Sequence, residues 1–405
     1  METTSNSASL VFLKTAVGIV FASVLLPTNL KAISVLLLGI AVFYYNLKNG
    51  IHLNKIYIFS SGLIYVGIAC TVIYSDDIPF ALKGLTKMSS LVVFPVIFSF
   101  VGERGRKLLI QEKRLFMTVY IVSVALFNIL PFTYLWITHY TGSEMIEHYA
   151  TVVRVDFGKW SIHPIYLSMH NSIAILFSFF LLLKSKGRGI TIFLLSVDIL
   201  LLLFLFLYAK KGPLIALFVI LILALFFQRR KKLFKPYLIV TLVLMGLTIA
   251  IPKTRNKFVE LLKIETVNNG TINSTNIRFS IYDNATKAII ESPVIGYGIG
   301  DYNNILLRKY KKEGSTVLLN GNYNAHNQYL SLLLIGGVIL LFIFLIVFFI
   351  NGILSIRYDN QILLLLLIFY SIVMFTENIL ERESGVLYFS LFLTYFTLFN
   401  VQDRK

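Results

Sequence analysis

One cysteine in 405 residues, Cys70, excludes a disulfide framework and supplies no thiolate metal or redox motif. Charge is scarce as well: 14% of residues are Asp, Glu, Lys or Arg and 57% are hydrophobic, where soluble domains run nearer ~45–50% apolar. An ordinary water-soluble domain is thereby excluded. Acids and histidines grouped at metal-ligand spacing are missing too, so neither a metal nor an organic cofactor is expected.

What the chain does have is runs of about 16 to 25 apolar residues, roughly what a helix needs to cross ~30 Å of hydrocarbon at 1.5 Å per residue. Lipid offers backbone polar groups no partner, so these runs are expected to be helical. Twelve spans are predicted, at 10–27, 31–47, 56–74, 87–102, 115–138, 164–183, 189–208, 212–228, 236–251, 326–350, 361–376 and 385–401. The expected fold is an all-α polytopic membrane protein whose first partner is the lipid bilayer, with no cleavable leader. Residues 1–251 would hold about nine spans, 252–325 one large connection with amphipathic helices, and 326–405 about three more spans.

A formal net charge of +17 invites a nucleic-acid reading until the cations are located. Lys48 and Lys55, then Arg104, Arg106, Lys107, Lys113 and Arg114, then Lys184, Lys186 and Arg188, and finally Arg229, Arg230, Lys231, Lys232 and Lys235 occupy connections that alternate with poorly charged ones. This positive-inside pattern places both termini in the cytoplasm and removes nucleic acid as a partner.

Cations on the other side are therefore the ones to explain. Lys210 and Lys211 sit in a tight turn at an outer membrane edge, and the connection from Pro252 to Ala325 holds ten Lys/Arg against six Asp/Glu. A long loop translocates regardless of its charge, which accounts for Lys309, Lys311 and Lys312. It accounts poorly for two lysines in a short turn, where a phosphate at the lipid headgroup depth would be a natural ligand.

Within the long connection, residues 274–290 read as an amphipathic helix: Ser274 to Asn276 offer N-caps, apolar residues recur at 277, 281, 285, 288 and 289, and Pro293 ends it. Arg278 is expected in its first turn, against the helix dipole, where it is either a solvated arginine or a cation in use. The stretch Pro293-Val-Ile-Gly-Tyr-Gly-Ile-Gly-Asp301 follows. Ile295 precedes the Gly-Tyr-Gly and no span closes soon behind it, as a potassium filter requires, and neither flank fits the strand and helix of a dinucleotide loop, leaving an irregular glycine loop whose amides could approach a ligand. His326 is expected in the first turn of span ten, where the dipole favours the neutral ring; it is a candidate base or a capping residue.

Taken together, Arg278 on an amphipathic helix, Glu291-Ser-Pro-Val-Ile-Gly-Tyr-Gly-Ile-Gly-Asp-Tyr302, and Asn324-Ala-His-Asn-Gln-Tyr-Leu330 followed by Gly336-Gly337 resemble the signature of the O-antigen ligase and polymerase superfamily. The motifs cover about 60 residues. The resemblance implies a GT-C-like, metal-independent, inverting glycosyltransferase at the periplasmic face of the bacterial inner membrane. The donor would be an undecaprenyl diphosphate-linked glycan and the acceptor a hydroxyl of lipid A-core. His326 matches the family's acceptor-activating histidine and Arg278 an arginine that holds the donor diphosphate. A second family arginine corresponds to Lys210-Lys211, which keeps charge without the bidentate fork.

The chemistry is coherent by itself. Many soluble glycosyltransferases neutralise the departing diphosphate with a metal on an Asp-x-Asp motif, absent here; fixed cations could do that work while His326 takes the acceptor proton. Tyr297, Gly298, Asn324 and Asn327 are candidate loop or acceptor contacts. His163 and Tyr166 could line an acceptor groove or cap span six, and Glu377, Glu381 and Arg382 could orient His326 or form an edge ion cluster. A polymerase that uses a second undecaprenyl-linked repeat as acceptor fits the same residues. A secondary transporter would suit twelve spans, but its repeated halves and midplane charges are not evident.

Overall fold

The computed structural model describes residues 2–138, 142–227, 242, 246–262, 264–267 and 272–401. Among them no strand occurs, and the chain divides into two compact units. One comprises Met1–Asn54 and Ile97–Thr248, the other Lys55–Val96 and Ile249–Lys405.

Among the described residues, six helices are long and apolar enough to cross a membrane: Ser7–Leu25, Thr28–Asn49, Lys113–Thr138, Pro164–Lys184, Arg188–Tyr208 and Gln328–Arg357. Ile78–Met88 and Ser90–Ser99, bent by 45° at their junction, make a seventh if they form one span. Three other predicted spans appear as the shorter apolar helices Ser60–Tyr74, Lys211–Phe227 and Gln361–Met374, and the last as Glu383–Thr397. The predicted span 236–251 and the basic cluster Arg229 to Lys235 lie largely or wholly outside the described residues.

In the first unit, Pro164–Lys184 is the central helix, packed on Lys113–Thr138, Arg188–Tyr208 and Lys211–Phe227. Apolar contact gives helices little reason to prefer each other to lipid, so interhelical hydrogen bonds matter more to their register. Here Asn128 Nδ2 donates to Asn171 Oδ1 at 2.9 Å, Tyr208 Oη donates to Asn128 Oδ1 at 2.7 Å, and Asn171 Nδ2 reaches Leu201 O at 3.2 Å.

The second unit turns on a broken helix. Gln328–Arg357 is interrupted at Gly336 (φ −135°) and Gly337 (φ 60°), which frees the carbonyls of Leu334 and Ile335. The glycine loop docks there. Tyr297 N and Gly298 N donate to Leu334 O and Ile335 O, each at 2.8 Å, and Val338 N donates back to Pro293 O at 2.9 Å. Ile299 N and Gly300 N bind Thr71 Oγ1 and Ser75 Oγ, both at 3.1 Å, while the Asp301 carboxylate accepts from the amides of Asp76 and Asp77. The amides of Tyr297 to Gly300, expected to approach a ligand, are thus spent on the protein, the first two on acceptors that the helix break presents.

A Cβ on Gly337 would lie 2.1 Å from Val294 O, and its backbone is left-handed. Gly337→Ala should lower the heat stability of the purified protein, since such strain alone costs on the order of 1–3 kcal/mol. Size-exclusion profiles after a heating series would measure this, and an unchanged midpoint would refute the docking account.

Candidate active site

The helix that carries Arg278 runs from Ser274 to Glu291. Its cap is Asn273, one residue earlier than expected, whose side chain accepts from the amides of Thr275 and Asn276, both at 2.9 Å. Glu265 N on Asn276 Oδ1 at 3.0 Å and Val267 N on Ser280 Oγ at 2.8 Å tie the preceding segment to it. Arg278 is consequently the fifth residue of the helix, beyond the first turn where it was expected, so the dipole argument against it weakens. It is half-buried, and its Nε is buried without a hydrogen-bond partner. A guanidinium nitrogen withdrawn from water and left unpaired is costly unless something anionic completes it.

His326 also departs from its expected setting. The following helix begins at Gln328, capped by Asn327, whose side chain accepts from Tyr329 N at 2.9 Å and Leu330 N at 3.2 Å. His326 precedes that cap, with a left-handed backbone (φ 44°) that few residues other than glycine adopt. Its backbone is pinned at both ends: the amide donates to Asn324 Oδ1 at 3.3 Å, and the carbonyl accepts from Tyr282 Oη at 3.1 Å. The ring, 25% exposed, packs against Tyr323 and places Nδ1 3.5 Å from Oε2 of Glu377, whose side chain is 7% exposed. That is an ion-pair distance without hydrogen-bond geometry, and Nδ1 makes no hydrogen bond. A carboxylate beside an imidazole is the arrangement that orients a general base.

A family model described as O-antigen ligase matches residues 196–345, a stretch that contains Lys210, Lys211, Arg278 and His326. The matched segment is similar to the O-antigen ligase-like superfamily. A comparison with curated proteins returned no match.

Outside the matched segment, the acids after Met374 separate into different roles. Glu381 receives Asn324 Nδ2 at 2.9 Å, Asn378 Nδ2 at 2.7 Å and Ser331 Oγ, so its carboxylate is occupied as a structural knot. Glu383 opens the last helix. Glu377 is the acid the fold delivers to His326.

The remaining sequence candidates fall in two places. Tyr297 belongs to the docked glycine loop, where its hydroxyl donates to Ala288 O at 2.7 Å, and Gly298 is pressed onto Ser75. In the first unit, His163 caps Pro164–Lys184 by accepting from Ile165 N at 3.3 Å, with Tyr166 edge-on to its ring at 6.4 Å; this is the capping alternative. Lys210 and Lys211 are half-buried at the turn between Arg188–Tyr208 and Lys211–Phe227, made tight by Ala209 in the left-handed conformation. The structure thus brings Arg278, Asn324, His326, Asn327 and Glu377 into one neighbourhood of the second unit.

Sequence reasoning missed Tyr282. One turn after Arg278, its hydroxyl lies between His326 O and Phe375 O, the latter at 2.7 Å. Burial pushes the phenol up to about 12, against the opposing pull of the Arg278 guanidinium, so it remains a hydrogen-bond donor at physiological pH. The i, i+4 spacing from Arg278 was the available signal. Two buried ionisable groups in apolar helices of the first unit, Lys31 and Asp198, were also passed over; Asp198 accepts from Ser178 Oγ at 2.8 Å across two helices.

Proposed function

We propose that this chain is a membrane glycosyltransferase that moves a glycan from undecaprenyl diphosphate to an acceptor hydroxyl, in ligase action a hydroxyl of lipid A-core. The observation that carries this reading is the pairing of two unfinished groups: the Arg278 guanidinium, whose buried Nε has no hydrogen-bond partner, and His326 backed by Glu377. They are joined through Tyr282, which shares a helix with the first and a hydrogen bond with the second. Arg278 would stabilise charge on the departing diphosphate. His326 would take the proton of the attacking hydroxyl. Attack from the face opposite the diphosphate inverts the anomeric centre. The family match supports ligase- or polymerase-type transfer to or from lipid-linked glycans, and the Arg278 guanidinium supports a metal-independent route in a GT-C-like scaffold.

The test is transfer by purified protein from an undecaprenyl diphosphate-linked glycan, with and without EDTA, to either lipid A-core or a second lipid-linked repeat. Transfer to core that survives chelation is expected. Elongation of the lipid-linked repeat alone would make the protein a polymerase, and no transfer to either would end the proposal.

The same reading places the site in the periplasm and both termini in the cytoplasm of an inner-membrane protein. Alkaline phosphatase fused after Ser315 should be active and a fusion after Lys405 inactive. Activity at both positions would overturn the orientation.

A further inference from the structure

We infer that Tyr282 is a positioning residue for this transfer: its single hydroxyl sets the distance between His326 and Glu377 and ties both to the helix that carries Arg278. The inference rests on the reading of His326 as base. The hydroxyl donates to His326 O at 3.1 Å and to Phe375 O at 2.7 Å, two residues before Glu377. One bifurcated donor therefore holds the backbone of the base and the backbone that leads to its carboxylate.

The hold matters because the geometry has no regular secondary structure behind it. His326 is neither in the helix that follows nor in the one before, and its left-handed backbone relaxes readily unless its neighbours impose it. Asn324 supplies the other constraint at the amide, and Asn324 is itself bound to Glu381. The Glu377 segment, between Gln361–Met374 and the short helical turn Ile379–Glu381, is likewise irregular. Two irregular segments must present groups at 3.5 Å, and the Tyr282 side chain bonds to the backbone of both. It lies one helical turn from Arg278, so a diphosphate drawn to Arg278 fixes the helix from which the hydroxyl projects.

Three variants decide the matter: Tyr282→Phe, Glu377→Gln, and the double substitution. Tyr282→Phe keeps the ring and removes only the donor, and it should lower kcat by about tenfold while the donor KM stays within about twofold, because the loss falls on alignment rather than on binding. In the Glu377→Gln background the same change should cost far less, since the distance it controls no longer matters. Genetically encoded 4-aminophenylalanine at position 282 donates from the same place without a titrating phenol and should restore kcat to within about threefold. Additive losses, an effect confined to KM, or failure of the aminophenylalanine protein would overturn the inference. Should Tyr282→Phe change the elution profile or heat stability, the aminophenylalanine protein decides alone. Wild-type protein with no transfer at all would instead defeat the functional reading beneath it.

Discussion

Replacing His326 by Asn should lower transfer by a factor of about 10² to 10⁴ while leaving the protein folded and the donor lipid bound. Asparagine is the informative replacement because the position is left-handed, with φ 44°, and asparagine tolerates that conformation where alanine strains it. A loss in His326→Ala would mix chemistry with backbone distortion. His326→Gln adds a second control: its amide can hydrogen-bond an acceptor hydroxyl but cannot take its proton at neutral pH. Both should be inactive and both should elute as the wild type. Substantial activity in either would reduce the histidine to a positioning group. The base would then have to be Glu377, because Glu381 already holds three donors.

Much of the fold was legible because lipid makes length and charge decisive. The apolar runs starting near residues 10, 31, 115, 164, 189 and 326 correspond to the six long apolar helices. The runs at 56–74, 212–228 and 361–376 correspond to shorter ones, since hydropathy does not record where a helix tightens or ends. The break at Gly336-Gly337 was invisible for a similar reason: two glycines in a long apolar run still read as helix. Without that break the glycine loop had no known dock, so its amides looked available.

The candidate site was legible in its residue types and not in its geometry. Arg278 and His326 could be named from the sequence, but the register of each was off by a residue or more, because caps at Asn273 and Asn327 compete with near-equivalent neighbours. Glu377, Glu381 and Arg382 formed one undivided cluster in the sequence. Only the fold assigns one acid to the histidine and buries the next among asparagines. Tyr282 lies outside the apolar positions 277, 281, 285, 288 and 289 that marked the amphipathic helix, and its role depends on two carbonyls 44 and 93 residues away.

Arg278→Ala should lower kcat by about 10² to 10³, the usual consequence of removing one fixed charge that faces developing negative charge. The control is Lys309, a cation in the same connection whose ammonium pairs with Glu291. An ion pair with a largely exposed partner contributes little to stability and nothing to a site it does not face, so Lys309→Ala should transfer at nearly the wild-type rate. Arg278→Lys should recover part of the loss, because a point charge still attracts diphosphate while the planar fork that can grip two oxygens is gone. The three variants separate charge from shape: if attraction alone matters, lysine restores full activity, and if bidentate geometry matters, it restores little. Assays at rising donor concentration distinguish binding from catalysis, since a pure KM effect means that Arg278 holds the ground-state lipid without stabilising its departure. Equal tolerance at positions 278 and 309 would remove Arg278 from the site and leave its buried, unpartnered nitrogen without a purpose.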